Sequence, residues 1–366
     1  MTRRAAAAAP AAALAVLLAG ACSDDRPPPA RAVAPPDAPP AVPAPPAAAR
    51  LWRADEPPRP LLSVPSLTLR AAHRAEGVPL RVDAPDPGAS AAALPVIVWS
   101  HGANGSRDGY DPLALDWAAH GYCVVRPTHG DSLSLASREE LAAGRDLLER
   151  TSSPTVLRHW RTRPLDVRRV LDGLDEIERA LSARAGHPVA LDRARVGVGG
   201  HSFGAWTTLV VAGARLYGPG GRVSVSFLDT RPRAFVAVSP QGEGGGLRDA
   251  SWAGLVRPTL FVSGSEDTLP IDPRPASSRR AAFDGAAPGA HELVWIEGAH
   301  HGFGGITGSL PWAGSGPADP AQVAVVRAVA LAWWDAHVRD DADAAAWLAS
   351  DALVRAAGVA LRVERR

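Results

Sequence analysis

One serine in this chain stands where a nucleophile would. The run Val196-Gly197-Val198-Gly199-Gly200-His201-Ser202-Phe203-Gly204-Ala205-Trp206 places a G-x-S-x-G pentapeptide, Gly200 to Gly204, between a short Val/Gly strand and a helix-compatible stretch. A serine on such a strand-to-helix turn is held in a strained conformation, with its hydroxyl pushed out above the sheet. The flanking glycines are needed because a side chain at either place would collide with the neighbouring strand or helix. The pentapeptide alone is also a plain Gly-rich turn. The strand before it and the helix after it favour the nucleophile.

A serine hydroxyl attacks only when a base takes its proton, so a histidine must come within hydrogen-bond reach. A carboxylate must then orient that histidine and stabilise its charged form. After a turn of this kind the partners are expected in the order Ser, Asp/Glu, His, on loops beyond later strands. The strand Thr259-Leu260-Phe261-Val262 runs into Ser263-Gly264-Ser265-Glu266-Asp267, which makes Asp267 the expected acid. Glu266 is its near competitor and Glu243 the distant one, and the plainer role for Asp267 is a turn cap. The strand Leu293-Val294-Trp295-Ile296 leads to Glu297-Gly298-Ala299-His300-His301-Gly302-Phe303-Gly304. Adjacent side chains diverge, so only one of His300 and His301 can serve as base, leaving the other to line the site.

The oxyanion formed in acyl transfer needs two donors, usually backbone N–H groups. Phe203, at the start of its helix where the dipole favours negative charge, supplies one. Ala103, in the loop His101-Gly102-Ala103-Asn104-Gly105-Ser106, is expected to supply the other. His101 and His201 flank these positions and are expected to line the site.

Around these residues strand and helix signals alternate, as in a mostly parallel sheet with helices on both faces. Ser66–Arg70 and Val78–Val82 suit an opening antiparallel pair, and Pro95–Ser100 is a continuous apolar strand of the kind buried on both faces. Asp111–His120 reads as a helix and Tyr122–Val125 as a strand. Arg163–Leu181 carries apolar residues at helical spacing and predicts one long amphipathic helix. Val196–Gly199 is the nucleophile strand and Phe203–Leu216 its helix. Ala234–Val238, Thr259–Val262 and Glu292–Ile296 supply further strands, and Ala321–His337 a closing helix.

The chain of 366 residues has a net charge of +1, and its 39 basic residues are all arginine. They are scattered rather than striped, so no nucleic-acid footprint appears. Arg3 and Arg4, the apolar run Ala5 to Leu18 and the small residues Ala19-Gly20-Ala21 form an export signal. Cys22 follows at once, as in a bacterial lipoprotein signal whose first mature residue is acylated. Ala19 departs from the usual Leu, which leaves cleavage near Ala21 and soluble secretion as an alternative. The apolar run is shorter than the ~20 residues of a spanning helix. The Pro/Ala-rich segment 23–60 is expected to be an extended tether on the order of 100 Å long. The only other cysteine, Cys123, falls in an apolar strand and is expected to be a buried, inert thiol. No Cys/His cluster has zinc spacing. Trp99, Trp206, Trp295, Trp333 and Trp334 fall on predicted elements and belong to the core, while Trp252 and Trp312 lie in loops and are candidate walls of the pocket.

Five motifs stand in order: Ser100-His101-Gly102, Arg163-Pro164-Leu165-Asp166-Val167, Gly200-His201-Ser202-Phe203-Gly204, Gly264-Ser265-Glu266-Asp267 and Gly298-Ala299-His300-His301-Gly302-Phe303. With them the chain resembles the α/β-hydrolase superfamily. Within it the chain is similar to dienelactone-hydrolase-like and platelet-activating-factor-acetylhydrolase-like bacterial esterases, over roughly Ser66 to Ala357. The tail Ala332–Leu348 looks like the closing helix of that group. The resemblance implies an α/β fold with a mostly parallel central sheet, helices on both faces and no large lid domain. It favours His301 as the base, because that residue precedes Gly302-Phe303.

The implied activity is that of an exported serine esterase working through an acyl-enzyme, without metal or organic cofactor. Its substrates would be small-molecule or polymeric esters with short to medium acyl groups, and a membrane would be met only through the N-terminal lipid. Dienelactone hydrolases proper use a cysteine where Ser202 stands, so their substrate does not carry over. Gln241–Arg257 is too short for a lipase lid, and Asp131–Arg158 is the longer excursion, a candidate small cap. A thioesterase, amidase, peptidase or acyltransferase would use the same triad. A non-catalytic surface-binding lipoprotein is the remaining alternative.

Overall fold

The chain enters the fold through an antiparallel pair, β1 (Leu61–Ala71) and β2 (Arg74–Pro85). There follow β3 (Leu94–Ser100), α1 (Asp111–Ala119), β4 (Cys123–Pro127), α2 (Pro154–Asp172), α3 (Leu174–Ala185), β5 (Leu191–His201) and α4 (Phe203–Ala212). A small side ribbon, β6 (Leu216–Tyr217) and β7 (Val223–Val225), precedes β8 (Ala234–Val238) and β9 (Thr259–Glu266). The chain closes with α5 (Ala281–Gly285), β10 (His291–His300), α6 (Pro320–Val338), α7 (Ala342–Ala349), α8 (Ala352–Ala356) and β11 (Leu361–Arg365). The computed structural model describes residues 49–86, 88, 92–136, 154–218, 221–270, 272, 274–308 and 314–366. The export signal, Cys22, most of the tether, Trp312 and most of the Asp131–Arg158 excursion lie outside the described residues.

Among the described residues one sheet runs in the order β1-β2-β4-β3-β5-β8-β9-β10-β11. From β4 to β10 every pairing is parallel, and antiparallel strands close both edges. The order reverses at β3, whose neighbours β4 and β5 lie on opposite sides. A crevice at such a switch point, beyond the carboxyl ends of the strands, is where ligands bind in open α/β sheets.

Two apolar layers cover the sheet. Val96, Val98, Val196 and Val198 face a layer containing residues of α2, α3 and α4, while Ile97 and Trp99 face one containing residues of α1 and α6. The Val-Gly-Val-Gly pattern of β5 follows from this. A Cβ on Gly197 would lie 2.8 Å from the Trp334 ring, and one on Gly199 would lie 2.7 Å from Trp99. The valines fill one layer, and the missing side chains leave room for two indoles in the other. Trp99, Trp206, Trp295, Trp333 and Trp334 are all core residues. Cys123 is buried too, with its thiol pushed up by burial.

Three element boundaries differ from the sequence expectation. The helix expected over Arg163–Leu181 starts earlier, at Pro154, and splits at Gly173 into α2 and α3. Glycine is a poor helix former, and here Leu69 Cδ1 comes within 2.6 Å of where a Cβ would stand. The helix expected to reach Leu216 stops at Gly213, whose φ of 119° no continuing helix adopts. The closing segment Ala332–Leu348 spans two helices, because Asp340 turns left-handed (φ 62°) and the Asp341 carboxylate caps α7 by accepting from the Asp343 and Ala344 amides. The edge strand β11 is not among the expected strands; it lies beyond the stretch Ser66–Ala357 over which the resemblance runs, and pairs with β10.

Candidate active site

Ser202 sits between the end of β5 and the start of α4 with φ 57° and ψ −118°. A non-glycine residue is rarely held at positive φ, and the surroundings impose it here. A Cβ on Gly204 would fall inside the Ser100 carbonyl, and one on Gly200 would lie 2.5 Å from the Gly204 carbonyl carbon. The turn is thus wedged against β3 so tightly that only glycine fits on either side. Ser202 keeps 8% of its surface exposed.

His301, just past β10, reaches both partners. Its Nε2 lies 2.9 Å from Ser202 Oγ, and its Nδ1 lies 2.7 Å from Asp267 Oδ1. With Nδ1–H donating to the carboxylate, Nε2 is left to accept from the serine hydroxyl. Its neighbour His300 ends β10 opposite Glu266 and packs against Gly316. Asp267 follows β9 directly and is fully buried, while Glu266 and Glu243 are exposed. Burial pushes the Asp267 carboxyl up, but the His301 ring, Arg279 and a hydrogen bond from Ser263 outweigh it. The group is held well below the usual carboxylate range.

Two serines that the motif reading did not single out complete this arm. Ser239, left-handed at the end of β8 (φ 51°), donates to Asp267 Oδ1 at 2.9 Å, and its oxygen lies 2.9 Å from His301 Nδ1. Ser263 donates to Asp267 Oδ2 at 2.8 Å. The one available signal was position, since both stand at or near the carboxyl ends of strands.

The other two histidines expected to line the site are buried beneath it. His201 Nδ1 accepts from Tyr110 Oη at 2.9 Å, and its Nε2–H donates to the His301 carbonyl at 2.8 Å. Burial, and next the nearby His301, pull its pKa down to about 3, so this ring is a neutral strut under His301. His101 Nδ1–H donates to the Gly102 carbonyl at 2.6 Å, while its Nε2 accepts from the His129 amide at 3.0 Å. Trp252, expected to wall the pocket, is 1% exposed in a 3-10 turn (Asp249–Gly254) and fills core space against Gly285 of α5. Its indole is too large and apolar to leave in water when a buried slot is available.

The loop after β3 lies beside Ser202: a Cβ on Gly102 would be 3.5 Å from Ser202 Cβ. Gly102 N–H is committed to Tyr110 Oη at 3.0 Å and Asn104 N–H to Asp131 at 3.1 Å. The Ala103 amide stands between them in an exposed position. Phe203 N–H opens α4, where the first amides have no intrahelical acceptor.

A second Ser–His–Asp array lies nearby. Ser100 Oγ is 2.8 Å from His129 Nε2, and His129 Nδ1 is 2.9 Å from Asp166 Oδ2. Asp166 also accepts from His73 at 2.7 Å and Arg74 at 3.0 Å. Burial raises the Asp166 carboxyl, yet His129, His73 and Arg74 outweigh it and hold it at about 2. All three members of this array have no exposed surface, so no substrate reaches Ser100. The array ties the ends of β3 and β4 to α2 and to the β1–β2 turn. Geometry alone does not separate it from the Ser202 array; access does.

A family model described as platelet-activating factor acetylhydrolase, isoform II, matches residues 79–183. Among solved structures, the ferulic acid esterase from Streptomyces cinnamoneus superimposes with a TM-score of 0.54 at 19% identity, over 80% of this chain and 94% of that one. The chain has the α/β-hydrolase fold. No curated protein matches the sequence. Ser202, Asp267 and His301 stand in that order along the chain, each just past the end of a parallel strand.

Proposed function

We propose that this α/β-hydrolase cleaves carboxylic esters through an acyl-enzyme on Ser202. Ser202 Oγ attacks the ester carbonyl while His301 Nε2 takes its proton, and the Phe203 and Ala103 amides receive the developing oxyanion. Asp267 holds His301 in the tautomer that accepts, and stabilises the imidazolium that forms. Collapse of the tetrahedral intermediate releases the alcohol, which leaves with the proton from His301. Water, deprotonated by the same ring, then frees the acid and regenerates Ser202. The observation that carries the reading is the line Ser202–His301–Asp267 at the end of the parallel strands, on a serine that keeps 8% of its surface exposed where Ser100 keeps none. Similarity to an acetylhydrolase family and the fold shared with a ferulic acid esterase support an ester as substrate. We assign short to medium acyl groups on the resemblance to that group of esterases, and export with Cys22 as the lipidated residue on the N-terminal signal pattern.

The test is hydrolysis of p-nitrophenyl esters of increasing acyl length by wild type and Ser202→Ala. Turnover is expected in the wild type and absent from Ser202→Ala. Full activity in the folded Ser202→Ala protein would remove Ser202 from the mechanism, and activity confined to amides or thioesters would shift the acceptor class. For export, radiolabelled fatty acid is expected to enter the wild-type protein and not Cys22→Ser.

A further inference from the structure

Arg163 is a guanidinium with no exposed surface, on α2 directly beneath the loop that follows β3. Its Nη1 donates to the His101 carbonyl at 2.7 Å and its Nη2 to the Gly102 carbonyl at 3.0 Å. Nε and Nη2 also form a paired contact with Asp131, both at 2.8 Å. The same guanidinium stacks on the Phe203 ring, 4.1 Å from its centroid. One side chain therefore touches both residues that precede Ala103 and the residue that carries the other oxyanion donor.

The consequence follows from peptide geometry. In a planar trans peptide the C=O and N–H point in opposite directions. Capturing the Gly102 carbonyl therefore turns the N–H of the same peptide unit, that of Ala103, away from α2. Capturing the His101 carbonyl does the same for Gly102 N–H, which meets Tyr110 Oη. Two successive carbonyls drawn to one cation are an arrangement that a free loop would not keep. A donor on the carbonyl also polarises the peptide and strengthens its N–H as a donor, as in any hydrogen-bonded chain. Asp131 neutralises the guanidinium, so the charge does not compete for an anionic substrate. Asp131 also accepts from Asn104 N–H at 3.1 Å, which fixes the far side of Ala103.

We propose that Arg163, braced by Asp131, is a positioning residue that orients the Gly102–Ala103 peptide as the second oxyanion donor. The proposal rests on the serine-hydrolase reading of Ser202. Lysine cannot replace it fully, because a point charge lacks the planar fork that spans two carbonyls and a carboxylate.

The experiment compares wild type, Arg163→Lys and Arg163→Met on a matched ester and thionoester, with kcat and KM measured separately. Sulfur is a poor acceptor for an oxyanion site, so the ester-to-thionoester rate ratio reports that site and not general folding. Arg163→Met is expected to lose on the order of 10²-fold in kcat, the effect of removing one oxyanion donor, with KM little changed. Its ratio is expected to collapse, and Arg163→Lys should fall between. A wild-type ratio in Arg163→Met, or a loss confined to KM, would overturn the proposal. Should Arg163→Met alone not fold, the double variant with Asp131→Asn removes both buried charges and carries the same readout. Failure of the serine reading would appear separately, as ester turnover that survives Ser202→Ala.

Discussion

Ser202 is held at positive φ where the turn between β5 and α4 is wedged against the end of β3, and its hydroxyl meets His301. The two adjacent histidines show how much one position matters. His300 closes a strand ladder and His301 leaves it, so the second alone swings back over β5 to the serine. His301→Gln is therefore expected to lower kcat at least about a thousandfold and His300→Gln less than tenfold, as measured by ester turnover and fluorophosphonate labelling. The reverse order would move the base by one residue. Asp267 needed more than its own type. Ser239 and Ser263 donate to its carboxylate and Arg279 to its backbone carbonyl, and in the chain they stand at scattered distances before and after it.

The strand ends act as mounts. β3 leads into the loop of Gly102 and Ala103, β5 into Ser202, β8 into Ser239, β9 into Asp267 and β10 into His301, all on the carboxyl edge. What keeps β3 and β4 in register with α2 at that edge is the buried Ser100–His129–Asp166 array. Ser100→Ala would leave His129 Nε2 buried without its partner, at a cost of about 1–3 kcal/mol. Urea unfolding is expected to report that loss, while Ser202 remains labelled by fluorophosphonate. Loss of labelling with unchanged stability would instead make Ser100 part of the reaction. The sequence pattern revealed each parallel strand but misjudged the helix after β4. Apolar spacing continues through Gly173, whereas the close approach of Leu69, which leaves no room for a side chain there, comes from β1, distant in the chain.

Over the whole molecule, buried charge makes stability depend on pH with two opposed signs. Asp131 and Asp267 are held below the usual carboxylate range, and Asp166 drops from 3.8 to about 2. The unfolded chain protonates these groups first, so their contribution is present above about pH 4 and is lost as pH falls through the folded values. For Asp166 this is about 2 kcal/mol. Glu292 behaves oppositely. Burial lifts it from 4.5 to about 7 despite Arg365, so its contribution is present below pH 4.5 and fades as pH rises to 7. Asp166→Asn is expected to flatten the fall in Tm below pH 4, and Glu292→Gln to raise Tm at pH 8 but not at pH 4. Parallel Tm–pH curves for wild type and either variant would contradict the assignment.

Local chemistry made much of this legible in one dimension. A G-x-S-x-G turn, apolar strands of buried length and acid and base positions just past strand ends are written in neighbouring residues, since steric fit and periodicity act over a few positions. The contact of His301 with Ser202 across two strands, the burial of His101, His201 and Trp252, and the grip of Arg163 on two carbonyls are different in kind. Each depends on which distant strand or helix lies alongside, and on how much water remains there. Hydrogen bonds and burial are properties of neighbours in space, and the crossover at β3 brings those neighbours together.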